Sequence, residues 1–208
     1  MIEALLEKIH WLGHDGFRID TGTVIYIDPY QMKSTIPADI ILVSHDHFDH
    51  CSPDDITKIQ KKNTVIITDK VSAGKLTGDV RVVKPGDRVS IEGLKVEIVP
   101  AYNTNKQFHP KSAGMLGFIL TVDGVRIYHA GDTDFIPEMK NITADIALLP
   151  VSGAYVMTAD EAVQAALAIN PKFAIPMHYG AIVGTESDAK QFAEKLKGKI
   201  ETRILPQE

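Results

Sequence analysis

Short runs of branched and apolar residues, separated by polar turn formers, dominate the first two-thirds of the chain. Residues 9–12, 17–20, 24–28 and 39–43 read as four strands. The pattern then changes period. Residues 53–61 predict a helix, capped by Ser52, with Pro53 at its first position and Asp54 and Asp55 at the positive end of its dipole. Further strands are predicted at 64–68, 80–83, 89–91, 94–100, 116–122 and 125–129. Lys84-Pro85-Gly86-Asp87, Glu92-Gly93 and Asp123-Gly124 form the turns among the later ones, and Asp123-Gly124 is a good hairpin signal. Beyond this the elements alternate: a strand at 145–150, an alanine-rich helix to about 169, a strand at 172–176 and a helix at 187–197. Thr158 and Glu161 fit a capping box opening the first of these helices, and Phe192 and Leu196 lie four apart on one side of the second. Residues 199–205 would close as a strand. Helices early and late around a strand-rich middle predict two mixed sheets packed face to face with helices outside.

Length and composition narrow the class. With 208 residues, no repeats and no Gly-, Pro- or Ser-rich linker, a single domain over 1–208 is expected. Apolar content of 44% and charged content of 24% are those of an ordinary globular protein. The net charge is −5 and no Lys/Arg stripe is present, so nucleic acid is not the expected partner. The start, Met1-Ile2-Glu3-Ala4-Leu5-Leu6-Glu7-Lys8, lacks the apolar stretch of an export signal, and no segment approaches the roughly 20 apolar residues of a membrane span. One cysteine, Cys51, excludes an intrachain disulfide framework. A cytoplasmic location and a small-molecule substrate are expected, with no membrane partner. A homo-oligomer is expected only because dimers are common.

Chemistry concentrates in Ser44-His45-Asp46-His47-Phe48-Asp49-His50, which holds three of the eight histidines. Imidazole and carboxylate together suit Zn, Fe, Ni or Mn better than Ca or Mg. The motif joins a buried strand to a helix, at the strand's carboxyl end, where open α/β sheets place ligands. On an extended segment His45 and His47 point the same way, while Asp49 and His50 aim from the turn. Asp132, in His129-Ala130-Gly131-Asp132, closes another strand after a turn-permitting glycine. It is either a carboxylate bridging two cations or a turn acid or helix cap ahead of residues 135–139. His178, in Pro176-Met177-His178-Tyr179-Gly180, is either a strand-end ligand or polar surface.

HDHFDH, then GDT, then PMHYG, in this order and spacing, resemble the metallo-β-lactamase superfamily. They most resemble its small single-domain hydrolase branch, with relatives of ascorbate-6-phosphate lactonase and N-acyl-phosphatidylethanolamine phospholipase D. Trp11-Leu12-Gly13-His14-Asp15-Gly16-Phe17, Ile27-Asp28-Pro29 and Glu161-Ala162 add to the likeness. The resemblance implies an α+β fold, a four-layer αββα sandwich of two mixed sheets. It also implies two divalent metal ions, zinc first, with Mn, Fe or Ni as alternatives. His45 and His47 would hold one, Asp49, His50 and His178 the other, and Asp132 both. Most of the superfamily completes the first set with a histidine after a mid-chain strand. Here Asn103 stands near that place and His109 follows six residues later. His109 is favoured as third ligand or substrate-facing group, with Asn103 as the alternative. His14 would lie near the metals or on a surface loop. His129 would orient a ligand through its ring N–H. His10 is read as structural and Cys51 as a buried bystander.

The activity implied is hydrolysis of a small ester, lactone or phosphodiester by a metal-bound hydroxide. Asp49 would orient the nucleophile, and His109, His14 and Tyr179, in that order, are candidates for the leaving-group acid. Lys106 and Lys111, in the polar loop 103–115, would either meet an anionic substrate or lie solvated. Ser152-Gly153-Ala154-Tyr155 would line the same pocket. The alternatives are a nuclease or RNA-processing phosphodiesterase, disfavoured by charge and size, and a non-catalytic metal-binding protein with a decayed first site.

Overall fold

The computed structural model describes residues 1–33 and 35–208, and the chain forms two compact units, each built on one sheet. The first unit comprises Met1–Lys84 with Pro206–Glu208. Its strands are β1 (Ile9–Gly13), β2 (Gly16–Asp20), β3 (Val24–Ile27), β4 (Ala38–Leu42), β5 (Gln60–Thr68) and β6 (Asp79–Val82). They lie side by side in chain order, antiparallel from β1 to β3 and parallel from β3 to β6. β4 sits centrally with parallel neighbours on both sides. That position explains why Ile40, Ile41 and Leu42 are all buried rather than alternating. Helix α1 spans Ile2–Leu6 and α3 Lys70–Ala73, while α2 (Pro53–Ile59) turns Ile56 and Ile59 into a core with Leu12, Tyr26, Ile41 and Ile66. The Ser52 hydroxyl accepts from the Asp55 N–H, as the sequence predicts for this cap.

The second unit, Pro85–Leu205, holds seven strands in one sheet, again in chain order. They are β7 (Arg88–Ile91), β8 (Leu94–Pro100), β9 (Leu116–Val122), β10 (Val125–His129), β11 (Ile146–Pro150), β12 (Phe173–Met177) and β13 (Glu201–Thr202). Pairing is antiparallel from β7 to β10 and parallel from β10 to β13. Both two-residue hairpins use positive φ at each turn residue: Glu92 (49°) and Gly93 (88°), Asp123 (49°) and Gly124 (79°). Helices α4 (Ala159–Ile169) and α5 (Glu186–Leu196) pack on each other, with α4 also against β11 and α5 against β12. Ala162, Ala165 and Ala166 are buried on α4, and Phe192 and Leu196 on α5. The Thr158–Glu161 capping box is present.

Both sheets are mixed and carry flanking helices, the fold class predicted. The differences are local. β5 starts at Gln60, four residues early, through main-chain pairing with Ala38 beside a bulge, so its polar start carries no apolar signal. The closing strand shrinks to two residues. Helices α1 and α3 are too short for any period to register. A 3₁₀ turn at Pro137–Asn141 stands where Asp132 as a helix cap would have placed a helix over 135–139. Among the described residues no helix is long and apolar enough to cross a membrane.

Candidate functional site

In both units the candidate donors stand where strands end. The first unit's donors come from the β1–β2 turn (His14, Asp15), the end of β3 (Asp28) and the segment after β4 (Ser44 to His50). His14, Asp15, Asp28, His45 and His50 are buried, and His47 and Asp49 half-buried. His14 adopts a left-handed conformation (φ 52°), and its carbonyl accepts from the Trp11 indole N–H at 2.9 Å. Its ring thereby faces inward, with Nε2 at 3.0 Å from Asp49 Oδ2, which removes the surface-loop alternative. His50 Nε2 lies 3.7 Å from the same oxygen, and His45 Nε2 lies 3.0 Å from His47 Nδ1. His14, Asp15 and His50 each offer an atom within 4.8 Å of the others. The turn is closed by the His47 carbonyl, which accepts from the N–H of His50 (3.1 Å) and Cys51 (2.8 Å).

Behind these rings stands Asp28. It is fully buried at φ 43°, on a backbone kink that asparagine and aspartate tolerate better than most residues. Its Oδ1 accepts from the Ser44 N–H (2.7 Å) and its Oδ2 from the Ser44 hydroxyl (2.6 Å) and His50 Nδ1–H (2.9 Å). With its proton given to Asp28, Ser44 Oγ accepts from His45 Nδ1–H at 2.9 Å. One carboxylate thus fixes two imidazoles, His50 directly and His45 through Ser44, and leaves the Nε2 of each free of its proton.

The second unit repeats this logic with other groups. Asp132 follows β10, Ser152 follows β11, and His178 follows β12. His109 lies in the loop after β8. His109 and His178 are buried and left-handed, at φ 58° and 60°. Their Nε2 atoms lie 3.3 and 3.4 Å from Asp132 Oδ2. Behind them, the Ser152 hydroxyl donates to the Ala154 carbonyl (3.3 Å), so its Oγ accepts from His178 Nδ1–H (2.8 Å), and the Tyr155 carbonyl accepts from His109 Nδ1–H (3.1 Å). Asn103 shapes this loop: its N–H donates to the His109 carbonyl (2.7 Å), and its amide to the carbonyls of Phe108 (2.9 Å) and Tyr155 (2.5 Å). Both amide protons are then used, and Asn103 Oδ1 is buried without a hydrogen-bond partner. His129 Nδ1 accepts from the Gly131 N–H at 3.2 Å, so it steadies the backbone of the Gly-Asp turn.

The donor set fits a transition metal. Ligand atoms sharing a tetrahedral ion with bonds of about 2.0–2.1 Å lie about 3.3 Å apart. The His45–His47, His109–Asp132 and His178–Asp132 separations fall around that value. Oriented imidazoles plus carboxylates are the donors such ions take.

Other sequence candidates separate from these groups. Burial pushes the Cys51 thiol up to about 11, and Cys51 packs in the core, as the bystander role requires. Burial, with Glu186, pushes the Tyr179 hydroxyl up to about 12, so it stays protonated near neutrality. His10, half-buried on β1, lies 3.2 Å from Asp20 and 3.5 Å from Glu208. Lys106 is ion-paired with Asp134, and Lys111 bonds Glu138 (2.8 Å) and the Tyr102 hydroxyl (3.2 Å), so neither is merely solvated. Sequence reasoning missed the parts played by Asp15 and Asp28. The available signal was a carboxylate at each strand end, in Gly13-His14-Asp15-Gly16 and Ile27-Asp28-Pro29.

Known proteins place these observations. The family described as "Beta-lactamase superfamily domain" matches residues 8–178. A metal-dependent hydrolase of Archaeoglobus fulgidus is 34% identical, over 95% of this chain and 95% of its own. Another, from Thermoplasma acidophilum, is 31% identical over 95% and 94%. The crystal structure of a protein assigned as a metal-dependent hydrolase, from Parabacteroides distasonis, superposes with a TM-score of 0.86 at 38% identity, covering 95% of this chain and 91% of that one. A metallo hydrolase from Ignicoccus hospitalis, 23% identical, shares the fold with a TM-score of 0.80 over 96% and 94%. The chain belongs to the metallo-β-lactamase superfamily, among its metal-dependent hydrolases.

Proposed function

We propose that this protein hydrolyses a small ester, lactone or phosphodiester with two divalent metal ions, zinc foremost. The ligands would be His45, His47, Asp49 and His50 of the first unit, with His109, Asp132 and His178 of the second. One observation carries the proposal. Four buried histidines (His45, His50, His109 and His178) each have Nδ1 tied to an oxygen, which turns Nε2 toward another candidate donor. A purely structural cluster has no need of four matched tautomers. When bound, such ions supply Lewis acidity and lower the pKa of water.

The chain's own groups do the rest. Asp49 would orient the attacking water and take its proton at Oδ2, the oxygen that already faces His14 Nε2 and His50 Nε2. His14, buried and held by Trp11, keeps that carboxylate in one orientation. His109 and Asn103 are the two candidates for the remaining donor, and the Nε2 of His109 beside Asp132 favours His109. The test is metal content together with turnover on an ester, lactone and phosphodiester panel, for wild type and His109→Ala. Near two metals per chain in the wild type, fewer in the variant, and turnover in one substrate class support the proposal. Less than one metal per chain under saturating zinc refutes it.

A further inference from the structure

We infer that the substrate carries a neutral aromatic or extended apolar group, recognised by exposed aromatic side chains beside the donors. This inference rests on the hydrolase proposal and narrows it. Among the described residues only three aromatic side chains are exposed: Phe48 (66%), Phe108 (47%) and Tyr155 (45%). Every one is adjacent to candidate donors. Phe48 lies inside the His45–His50 motif and meets Tyr30 edge to face at 5.9 Å, and Tyr30 in turn meets His14 at 6.4 Å. Phe108 precedes His109 and meets Tyr155 edge to face at 5.0 Å. Tyr155 holds His109 by its carbonyl while its ring is exposed against Phe108.

The backbone of Tyr155 is left-handed, at φ 67°. That conformation is unfavourable for a bulky side chain and persists where surrounding structure imposes it, typically at functional sites. Here it gives one residue two roles: an oriented carbonyl behind a ligand nitrogen and a ring in the open. Single exposed apolar residues need no explanation, but two edge-to-face pairs that leave three of their four rings exposed, both at donors, do. The lysines of these segments point to a neutral group. Lys75 is paired with Asp46, Lys106 with Asp134 and Lys111 with Glu138, so each already has a counter-charge. An aryl or long-acyl ester or lactone suits exposed rings beside such donors better than a phosphodiester does.

The test compares zinc-loaded wild type, Phe108→Ala and Phe48→Ala on 4-nitrophenyl phenylacetate and 4-nitrophenyl acetate. Binding of the uncleaved phenylacetamide and acetamide is followed in parallel by saturation-transfer NMR. The wild type is expected to favour the phenylacetate by roughly tenfold or more in kcat/KM, the scale on which an apolar pocket discriminates. That ratio should fall several-fold in each variant, mainly through KM, and the phenylacetamide signal should weaken. Ester hydrolysis with no such preference, or with a ratio that neither variant changes, overturns the inference and leaves the hydrolase proposal standing. Phenylacetamide binding that depends on Phe108, without hydrolysis of either ester, supports the recognition surface and counts against ester cleavage. Absence of both binding and hydrolysis overturns the inference, and the hydrolase proposal then stands or falls on metal content and on the lactone and phosphodiester arms of its own panel.

Discussion

Replacing Asp28 by Asn separates shape from charge at the most connected group of the first unit. The side chains are isosteric, and asparagine tolerates the left-handed backbone at φ 43°, so the fold should survive. The amide oxygen can still accept from the Ser44 N–H (2.7 Å in the wild type). The amide nitrogen would then replace Oδ2, which now accepts from the Ser44 hydroxyl and His50 Nδ1–H. A donor there cannot take a proton from His50, which would shift to the tautomer protonated on Nε2 and lose that nitrogen as a ligand. Ser44, no longer donating to a carboxylate, would also release its hold on His45. A hydrogen bond to a charged group contributes about 1.5–3 kcal/mol. At about 1.4 kcal/mol per factor of ten, metal affinity should fall roughly 10- to 100-fold, the range found when groups behind metal ligands are removed. The assay is zinc competition against a chromophoric chelator, with a circular-dichroism melt as the control for folding. Zinc affinity within about threefold of wild type, with an unchanged melt, would refute the role given to Asp28.

Ser152→Ala removes a neutral partner at 2.8 Å from His178, so zinc affinity should drop by about 2- to 13-fold, the equivalent of 0.5–1.5 kcal/mol, with little change in melting temperature. Asn103→Ala strands the Phe108 carbonyl, leaves the Tyr155 carbonyl to His109, and should destabilise the protein by about 1–3 kcal/mol in urea unfolding, with a parallel loss of zinc. Burial alone would raise the Asp134 carboxyl, but Lys106 and the Thr104 N–H and hydroxyl hold it below its ordinary 3.8. A depressed carboxyl contributes stability that is present above its unfolded pKa and lost as pH falls through the folded one. Lys106→Met should therefore lower stability at pH 7 and shrink the loss seen on acidification below about pH 4; identical pH profiles for variant and wild type would exclude this coupling. With the Cys51 thiol at about 11, a chromogenic disulfide reagent at pH 8 should not label the folded protein, and stoichiometric labelling should appear only with unfolding.

What could be read from the sequence tracks the physics of each feature. Central strands such as β4 and β11, buried on both faces, announce themselves as unbroken apolar runs. The hairpins and the α4 cap are local chemistry, so Asp123-Gly124 and Thr158…Glu161 were enough. The polar start of β5 and the two-residue β13 join their sheets by main-chain pairing and carry no apolar signature. His45, His47, Asp49 and His50 stand out because they are packed into one turn. The placing of His109 needed the structure, because a loop and the Asn103 amide bring it back to Asp132. Asp28 was hidden for a similar reason: 16 residues separate it from Ser44 and 22 from His50, and only the parallel pairing of β3 with β4 brings them together.

The strictly sequential order of both sheets has a consequence for synthesis. As the chain leaves the ribosome, each new strand finds its neighbour already made, so the first sheet can zip up before Arg88 emerges. One seam stays open. Gln207 bridges to Trp11, and the Glu208 N–H donates to the Trp11 carbonyl at 3.0 Å, covering the free edge of β1. Those residues are translated after the whole second sheet. Until then the nascent first unit displays an uncovered strand edge, the kind of surface that recruits other chains. Gln207 and Glu208 therefore act as a closure on the first sheet. Trimming them should show first as aggregation during expression, before any change in the chemistry of the donors.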